Sequence, residues 1–294
     1  MNYLITGSNG FIGHCLVKRL KLDNKNVIYQ YDRNSTFPVD LKHFTKFNKG
    51  MDVVIHLAAF NSTKDFYSTA YDVIQDNLLP TLNLLNYYRQ FEEKPLFIYT
   101  GTPEAFAGTT DLFNYKIPTD ESVPLVVPDI KNLRWSYAGS KIVCEQAVVA
   151  SGLDYIIVRP NNIYGPRQKN HFVPEFIERC QQKDYTLYGW KNTRSWLYID
   201  DFIDAFVALI HCKKAIGEIV NIGSNDEVDV LQVAKLIMKY MNVEQEPICK
   251  DAPVGSTNRR MPDISKIKSL IDWQPTTSLE EGIKKTVSWY EHLK

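Results

Sequence analysis

A tyrosine and a lysine lie four residues apart in the segment Tyr137-Ala138-Gly139-Ser140-Lys141. In a helix this spacing puts a phenol and an ammonium group on one face. A phenol that takes a proton near neutral pH needs its pKa lowered by about 3 units, which is roughly 4 kcal/mol. The charge of Lys141 is one source of that stabilisation. The pair therefore predicts proton transfer at a substrate hydroxyl, although by itself it also fits an ordinary surface helix.

A second motif, Gly7-Ser8-Asn9-Gly10-Phe11-Ile12-Gly13, joins an apolar run typical of a strand to a segment with helical spacing. At such a junction Gly7 permits a tight turn and Gly10 lets a pyrophosphate approach the backbone. Gly13 lets the helix lie close to the strand. Because the N–H groups at a helix start bind phosphate, the motif predicts a dinucleotide site.

An acidic residue follows the next predicted strand. Asp32 lies about 20 residues beyond the glycines, where a carboxylate can bond the ribose of an adenosine. This position favours NAD as the cofactor. Arg33 is suited to a 2′-phosphate instead, so NADP stays open as an alternative.

The predicted elements explain how these groups meet. Strand and helix patterns alternate through the first half, with strands at 2–6, 27–31, 53–57, 96–100 and 155–159 and long helices at 66–91 and 136–150. This order predicts a parallel sheet covered on both faces. The crossover between Asp32 and Asp40 contains Pro38, so we expect it to be short and irregular. Later helices are predicted at 171–183, 201–211, 230–241 and 279–292.

Composition excludes several classes of function. Lysine plus arginine equals aspartate plus glutamate at 34 each, so no overall charge attracts nucleic acid or a membrane. The five cysteines are scattered and lack a Cys-x-x-Cys motif, which indicates reduced thiols. The first residues enter a strand and no apolar run could span a bilayer, so we expect no signal peptide and a cytoplasmic protein. No metal site is expected.

Taken in order along the chain, eight stretches resemble the extended short-chain dehydrogenase/reductases of the nucleotide-sugar epimerase and dehydratase family. They are residues 6–13, 52–59, 97–102, 137–141, 159–167, 194–201, 221–223 and 260–266. The resemblance runs nearly end to end. Several stretches are weak signals singly, but their order is specific.

This resemblance implies an α/β fold, a Rossmann-like doubly wound parallel sheet with a smaller C-terminal α/β lobe for the substrate. It implies an NAD(P)-binding Rossmann domain at 1–160 and a nucleotide-sugar lobe at 161–294, with the chain crossing between them. The implied cofactor-binding residues are Gly7, Asn9, Gly10, Phe11, Ile12, Gly13, Asp32, Arg33, Asp40, Leu41, Leu57, Ala58, Ala59, Thr100, Tyr137, Lys141 and Pro160.

The implied substrate is a nucleoside diphosphate sugar. Guanidinium groups suit phosphate oxygens, and the resemblance assigns Arg194 and Arg260 to the diphosphate. Asn162 would bond the diphosphate or the sugar, and Phe172 would line the nucleobase pocket. Thr102 would bond the sugar 4-oxygen beside the catalytic tyrosine.

The residues after the fourth strand bear on the reaction. In Thr100-Gly101-Thr102-Pro103-Glu104, the acid departs from plain 4-epimerases and resembles the glutamate of 4,6-dehydratases and UDP-glucuronate decarboxylases. Dehydratases also need the aspartate before it, and Pro103 has no ionisable group. The segment 124–135, which ends in Arg134-Trp135, resembles the decarboxylases too. Glu104 equally suits a helix start after Pro103.

The leading hypothesis is an NAD-dependent C4 epimerase of nucleotide sugars, acting through a transient 4-ketone in sugar-nucleotide or surface polysaccharide synthesis. The alternatives within the family are a UDP-glucuronate-type decarboxylase, a 4,6-dehydratase and a 4-ketoreductase. An NAD(P)-binding redox sensor or scaffold is a further alternative, which the presence of Thr102, Tyr137 and Lys141 disfavours. The resemblance also implies a homodimer formed through the helices predicted at 66–91 and 136–150.

Overall fold

A six-stranded parallel sheet forms the centre of the computed structural model, which describes residues 1–36, 38–62, 65–252 and 257–292. The strands are β1 (Asn2–Thr6), β2 (Val27–Tyr31), β3 (Val53–His56), β4 (Leu96–Thr100), β5 (Tyr155–Pro160), β6 (Ile163–Tyr164), β7 (Thr186–Tyr188), β8 (Thr193–Ser195), β9 (Leu197–Tyr198), β10 (Glu218–Ile222), β11 (Glu227–Asp229), β12 (Ile248–Lys250) and β13 (Arg259–Arg260). The central sheet has the order β10-β5-β4-β3-β1-β2. Its neighbours are all parallel, which confirms the predicted fold class.

The helices are α1 (Phe11–Leu20), α2 (Asp65–Ser68), α3 (Ala70–Tyr88), α4 (Glu104–Phe113), α5 (Ser136–Ala150), α6 (Phe172–Gln181), α7 (Ile199–Ile210), α8 (Val230–Tyr240), α9 (Ser265–Ile271) and α10 (Leu279–Glu291). The prediction of one continuous helix at 66–91 is wrong, because the helix is interrupted between α2 and α3. Thr69 leaves the helical region there, and its hydroxyl donates to the carbonyl of Asp65.

The sheet carries a separate core on each face, because successive residues of a strand point to opposite sides. Tyr3 and Ile5 of β1 pack on the side that also holds residues of α1 and α7. Leu4, between them, packs on the side of α3 and α5. Strands buried on both faces are typical of parallel sheets covered by helices.

Two features of the chain path matter for the site. The described residues between β2 and β3 (32–36 and 38–52) contain no helix or strand, so the short, irregular crossover predicted there is confirmed. β10 comes from the later part of the chain, yet it pairs with β5 and completes the central sheet. The division at residue 160 remains a prediction. None of the helices among the described residues is long and apolar enough to cross a membrane.

Candidate active site

The turn between β1 and α1 leaves room only for glycine at two positions. Gly7 has a φ of +67°, and a Cβ there would lie 2.7 Å from the backbone nitrogen of Ala58. A Cβ at Gly13 would lie 2.1 Å from the carbonyl oxygen of Gly7. The helix therefore begins close against the turn, with Gly10, Phe11 and Ile12 at its start. Its first N–H groups fit a pyrophosphate, so the turn suits a dinucleotide.

Asp32 ties the end of β2 to this turn. Its buried carboxylate accepts the backbone N–H of Asn9 at 2.9 Å and that of Asn34 at 2.8 Å. The side-chain amide of Asn9 also donates to the carbonyl of Asn34 at 2.9 Å. Asp32 is therefore fixed beside the turn, where an adenosine ribose would lie.

Other predicted cofactor residues lie along the carboxyl edge of the sheet. Residues 57–59 follow β3, and the N–H of Ala58 donates to the hydroxyl of Thr6 at 3.2 Å. Thr100 and Pro160 end β4 and β5. Asp40 is exposed in the crossover, and the side chain of Leu41 is buried in the core on the α3 side. Because the Leu41 side chain points into the core, only the backbone of Leu41 could face a cofactor.

Three groups with the chemistry predicted from the sequence come together at this edge. Thr102 follows β4, whereas Tyr137 and Lys141 lie one turn apart on α5, and all three are buried. The hydroxyl of Thr102 is hydrogen-bonded with the phenol of Tyr137. The ammonium of Lys141 lies 4.3 Å from the ring centre of Tyr99 on β4. The arrangement places the phenol, the predicted proton-transfer group, beside a second hydroxyl.

Burial shapes the protonation of this cluster. It raises the pKa of the Tyr137 phenol well above its usual value, and the hydrogen bond with Thr102 opposes that rise. Burial also lowers the pKa of Lys141 to about 8. The expectation of a lowered phenol pKa is therefore wrong for the chain by itself. Desolvation of the buried phenol is the largest influence on its pKa, and it outweighs the opposing hydrogen bond with Thr102.

Phe66 of α2 covers the ring of Tyr137, a contact that the sequence did not predict. The two rings are stacked with their centres 4.8 Å apart and their planes 6° apart. The hydroxyl of Ser136 donates to the carbonyl of Phe66 at 3.3 Å, which holds α2 against the start of α5. Because the two rings are 71 positions apart in sequence, no local pattern relates them.

Glu104 is the first residue of α4, and it is held between two arginines. Its carboxylate lies 2.8 Å from the guanidinium of Arg260 and 3.5 Å from that of Arg134. Burial raises the pKa of Glu104, but the charges of Arg260 and Arg134 outweigh it and hold the pKa below its usual value. Sequence reasoning named the Arg134-Trp135 pair without assigning it to the site. Arg134 also lies over the Trp135 ring, 4.5 Å from its centre.

The predicted substrate residues lie on neighbouring strands and loops. Arg194 of β8 is paired in register with Arg260 of β13, and its guanidinium donates to the carbonyls of Thr257 and Asn258. Burial lowers the pKa of Arg194 to about 10. The Asn162 amide donates to the carbonyl of Ser195 at 2.9 Å.

Phe172, at the start of α6, stacks on Phe176 and lies against Trp196 with ring centres 5.8 Å apart. The chain between β8 and β9 therefore runs past two of the predicted substrate residues. Asn162 contacts it at residue 195 and Phe172 at residue 196. This common neighbour brings both residues to the same region as Arg194.

A buried ion pair lies under the end of β4. The Arg159 guanidinium donates to both carboxylate oxygens of Glu145, at 2.7 and 3.2 Å, and both side chains are almost fully buried. A Cβ at Gly101 would lie 2.2 Å from that carboxylate. The pair therefore links α5, which carries the tyrosine and lysine, to β5 and to the backbone just before Thr102.

Comparisons with known proteins agree with this architecture. The sequence model of the NAD dependent epimerase/dehydratase family matches residues 3–223. The UDP-N-acetyl-alpha-D-glucosaminuronate decarboxylase of Bacillus cytotoxicus is 30% identical, over 99% of this chain and 98% of its own length. The dTDP-D-glucose 4,6-dehydratase of Mus musculus is 31% identical, over 98% of this chain and 88% of its own length.

A solved structure is similar over the whole chain as well. The UDP-glucose 4-epimerase of Thermotoga maritima, determined with UDP-glucose, has a TM-score of 0.85 and 26% identity. The similarity covers 100% of this chain and 99% of the epimerase. The names of these three proteins describe three different reactions.

Proposed function

This chain belongs to the NAD dependent epimerase/dehydratase family of enzymes, and we propose on that premise that it modifies a nucleotide-linked sugar through a transient ketone at C4. The observation that carries the proposal is the buried group of Thr102, Tyr137 and Lys141 beside the glycine turn. A proton acceptor at that place suits oxidation of a hydroxyl next to a bound dinucleotide.

The glycine turn, Asp32 and residues 57–59 would hold NAD. When bound, NAD supplies the acceptor and later the donor of the C4 hydride. Tyr137 takes the proton of the C4 hydroxyl and returns it when the ketone is reduced. Thr102 orients the same oxygen through its hydroxyl, and the positive charges of Lys141 and of the oxidised nicotinamide, when bound, would offset the burial that raises the pKa of Tyr137.

The arginines suit the rest of the substrate. A sugar diphosphate carries two negative charges, and Arg194 and Arg260 lie in register on adjacent strands. Asn162 would add a hydrogen bond to the diphosphate or the sugar. Phe172 would pack against the base.

Epimerisation at C4 needs no further catalytic group. The keto sugar turns in the site, and hydride returns to its other face. Dehydration across C5 and C6 instead needs a base and an acid. Glu104 is paired with two guanidinium groups and has a lowered pKa, which makes it a weak base, and Pro103 has no proton to give.

Decarboxylation of a nucleotide-linked uronic acid is the second candidate, and one observation favours it. The Nε of buried Arg260 finds no hydrogen-bond partner among the residues that the structure describes. This donor is suited to a sugar carboxylate, and a 4-ketone makes that carboxylate able to leave as CO₂. The full-length similarity to the Bacillus cytotoxicus decarboxylase supports the same candidate.

One experiment separates these reactions. The purified enzyme is incubated with NAD and with UDP-, dTDP-, GDP- and CDP-linked hexoses and uronic acids, and the products are identified by NMR. A C4 epimer supports the first candidate, whereas a pentose derivative with loss of CO₂ supports the second. The matched control is Tyr137→Phe, which removes only the phenolic oxygen. A 4-keto-6-deoxy sugar as product, or no product with any substrate, would contradict both candidates.

We also propose that the enzyme is a cytoplasmic homodimer that serves sugar-nucleotide or surface polysaccharide synthesis. The support for the dimer is apolar surface on the two helices expected to form it. Tyr71 and Ile74 of α3 and Val143 and Val149 of α5 are all exposed. Pairing of two such surfaces would remove these side chains from water and hold α5 in place.

A further inference from the structure

We propose that Asp76 makes the cofactor site prefer NAD over NADP, because it holds the two cations that would otherwise bind a 2′-phosphate. The inference rests on the dinucleotide site of the proposed function. It concerns a residue of α3 that lies outside the glycine turn and outside the residues predicted to bind the cofactor.

The two residues that follow β2 indicate different cofactors. An acid at this position bonds the 2′-hydroxyl of NAD, whereas a nearby arginine accommodates the 2′-phosphate of NADP. Asp32 is followed directly by Arg33, so both kinds of group are present. The direction in which Arg33 is held therefore decides which cofactor the site prefers.

The structure assigns Arg33 to α3. Its guanidinium lies 3.0 Å from one carboxylate oxygen of Asp76, and the ammonium of Lys42 lies 2.7 Å from the other. The Asp76 side chain is only 6% exposed, whereas that of Arg33 is 49% exposed. Burying a charged carboxylate costs free energy unless it is paired. Pairing with both cations therefore stabilises Asp76.

The position of Asp76 is fixed by its neighbours. The next residue, Asn77, accepts the N–H of Phe60 at 2.8 Å and donates to the hydroxyl of Ser140 at 3.2 Å, so this turn of α3 is anchored to α5. Burial raises the pKa of Asp76, but its ion pairs with Lys42 and Arg33 hold the pKa below its usual value. Asp76 therefore stays charged and offers both cations a rigid partner.

Removing that charge should release the cations. With asparagine at position 76, Arg33 and Lys42 lose their carboxylate partner while Asp32 keeps its place. A 2′-phosphate, which carries more negative charge than any group of NAD at that position, would then be the best remaining partner. The expected gain in NADP affinity is about tenfold, the size of one charge-assisted hydrogen bond.

The test is calorimetric titration of the full-length protein with NAD and, separately, with NADP, in the absence of any sugar. For Asp76→Asn we expect the tenfold gain for NADP and less than about a twofold change for NAD. The matched control is Asp72→Asn, an exposed carboxylate one turn earlier on α3, which should change neither affinity. A folded Asp76→Asn protein that binds NADP as weakly as the wild type would overturn the inference.

A second variant tests the same idea while leaving Asp76 itself in place. Arg33→Ala changes a half-exposed side chain and should lower NADP affinity less than about twofold, since Arg33 is already engaged by Asp76. A loss of more than about fivefold would show that Arg33 already reaches the phosphate, and would overturn the inference. Adding Arg33→Ala to Asp76→Asn should reduce the gain, because only Lys42 is then left to meet the phosphate. Because no sugar is present, a wrong assignment of the sugar reaction leaves these results unchanged.

Discussion

The ion pairs of Glu104 allow a quantitative prediction for Glu104→Gln. The side chains of Arg260 and Arg134 are 10% and 13% exposed, and that of Glu104 is 26% exposed. A hydrogen bond to a charged partner contributes about 1.5–3 kcal/mol, and partial exposure of the carboxylate reduces this to about 1–2 kcal/mol. For a chain of 294 residues such a loss lowers the melting temperature by about 2–3 °C.

The assay is thermal unfolding followed by circular dichroism, at pH 7 and at successively lower pH. Because the folded-state pKa of Glu104 lies below its ordinary 4.5, the contribution of the ion pairs is complete above that value and is lost as the pH falls below it. The difference between the wild type and Glu104→Gln should therefore shrink in acid. The control is Asp111→Asn on the exposed part of α4, with an expected change within about 0.5 kcal/mol.

Two results would refute this reasoning. One is a Glu104→Gln protein with the same melting temperature as the wild type at pH 7, which would mean that the ion pairs contribute nothing to stability. The other concerns chemistry, because a Glu104 that acts as a base would exchange the C5 proton of a hexose. Turnover in deuterated water by the wild type should leave C5 free of deuterium, and incorporation there that disappears in Glu104→Gln would show that Glu104 is catalytic.

Three further predictions concern the proton-transfer group and the assembly. Tyr137→Phe should keep NAD affinity within about twofold and lower turnover by at least about 100-fold, and a wild-type rate would exclude a phenolate mechanism. Burial lowers the pKa of Lys141 to about 8 and raises that of Tyr137, so the active pair, a phenolate beside a charged lysine, holds one proton fewer than the resting pair; kcat/KM should therefore rise with pH up to about 8 and then level off. Lys141→Arg should move this rise to higher pH, and a wild-type rise that continues to the usual lysine pKa of ~10.4 would contradict the effect of burial. Light scattering should give the mass of two chains, and Ile74→Glu combined with Val143→Glu should give one. A strictly monomeric wild type at working concentration would exclude the dimer.

Much of the fold could be predicted because its signals are local. The bounds of β1, β2, β4 and α5 follow from apolar spacing, and they agree with the prediction residue for residue. Tyr137 and Lys141 could be placed on one face because helical spacing alone determines that. The contacts of Phe66 with Tyr137 and of Asp76 with Arg33 could not be predicted, because each joins elements that are far apart in sequence and no local pattern relates them. The direction of the Tyr137 pKa was also beyond prediction, because it depends on how deeply the phenol is buried.

The pairing of β10 with β5 has a consequence for how this molecule can be divided. A fragment ending at residue 160 would contain the glycine turn, Asp32, Thr102, Tyr137 and Lys141, yet it would lack the strand that covers one side of β5. The uncovered β5 would present unpaired backbone groups and the apolar residues Ile156 and Val158, an arrangement prone to association between copies. The part that holds these proposed site residues therefore depends on residues 218–222 to complete its sheet. A fragment cut after β5 should associate or aggregate unless that strand is supplied to it.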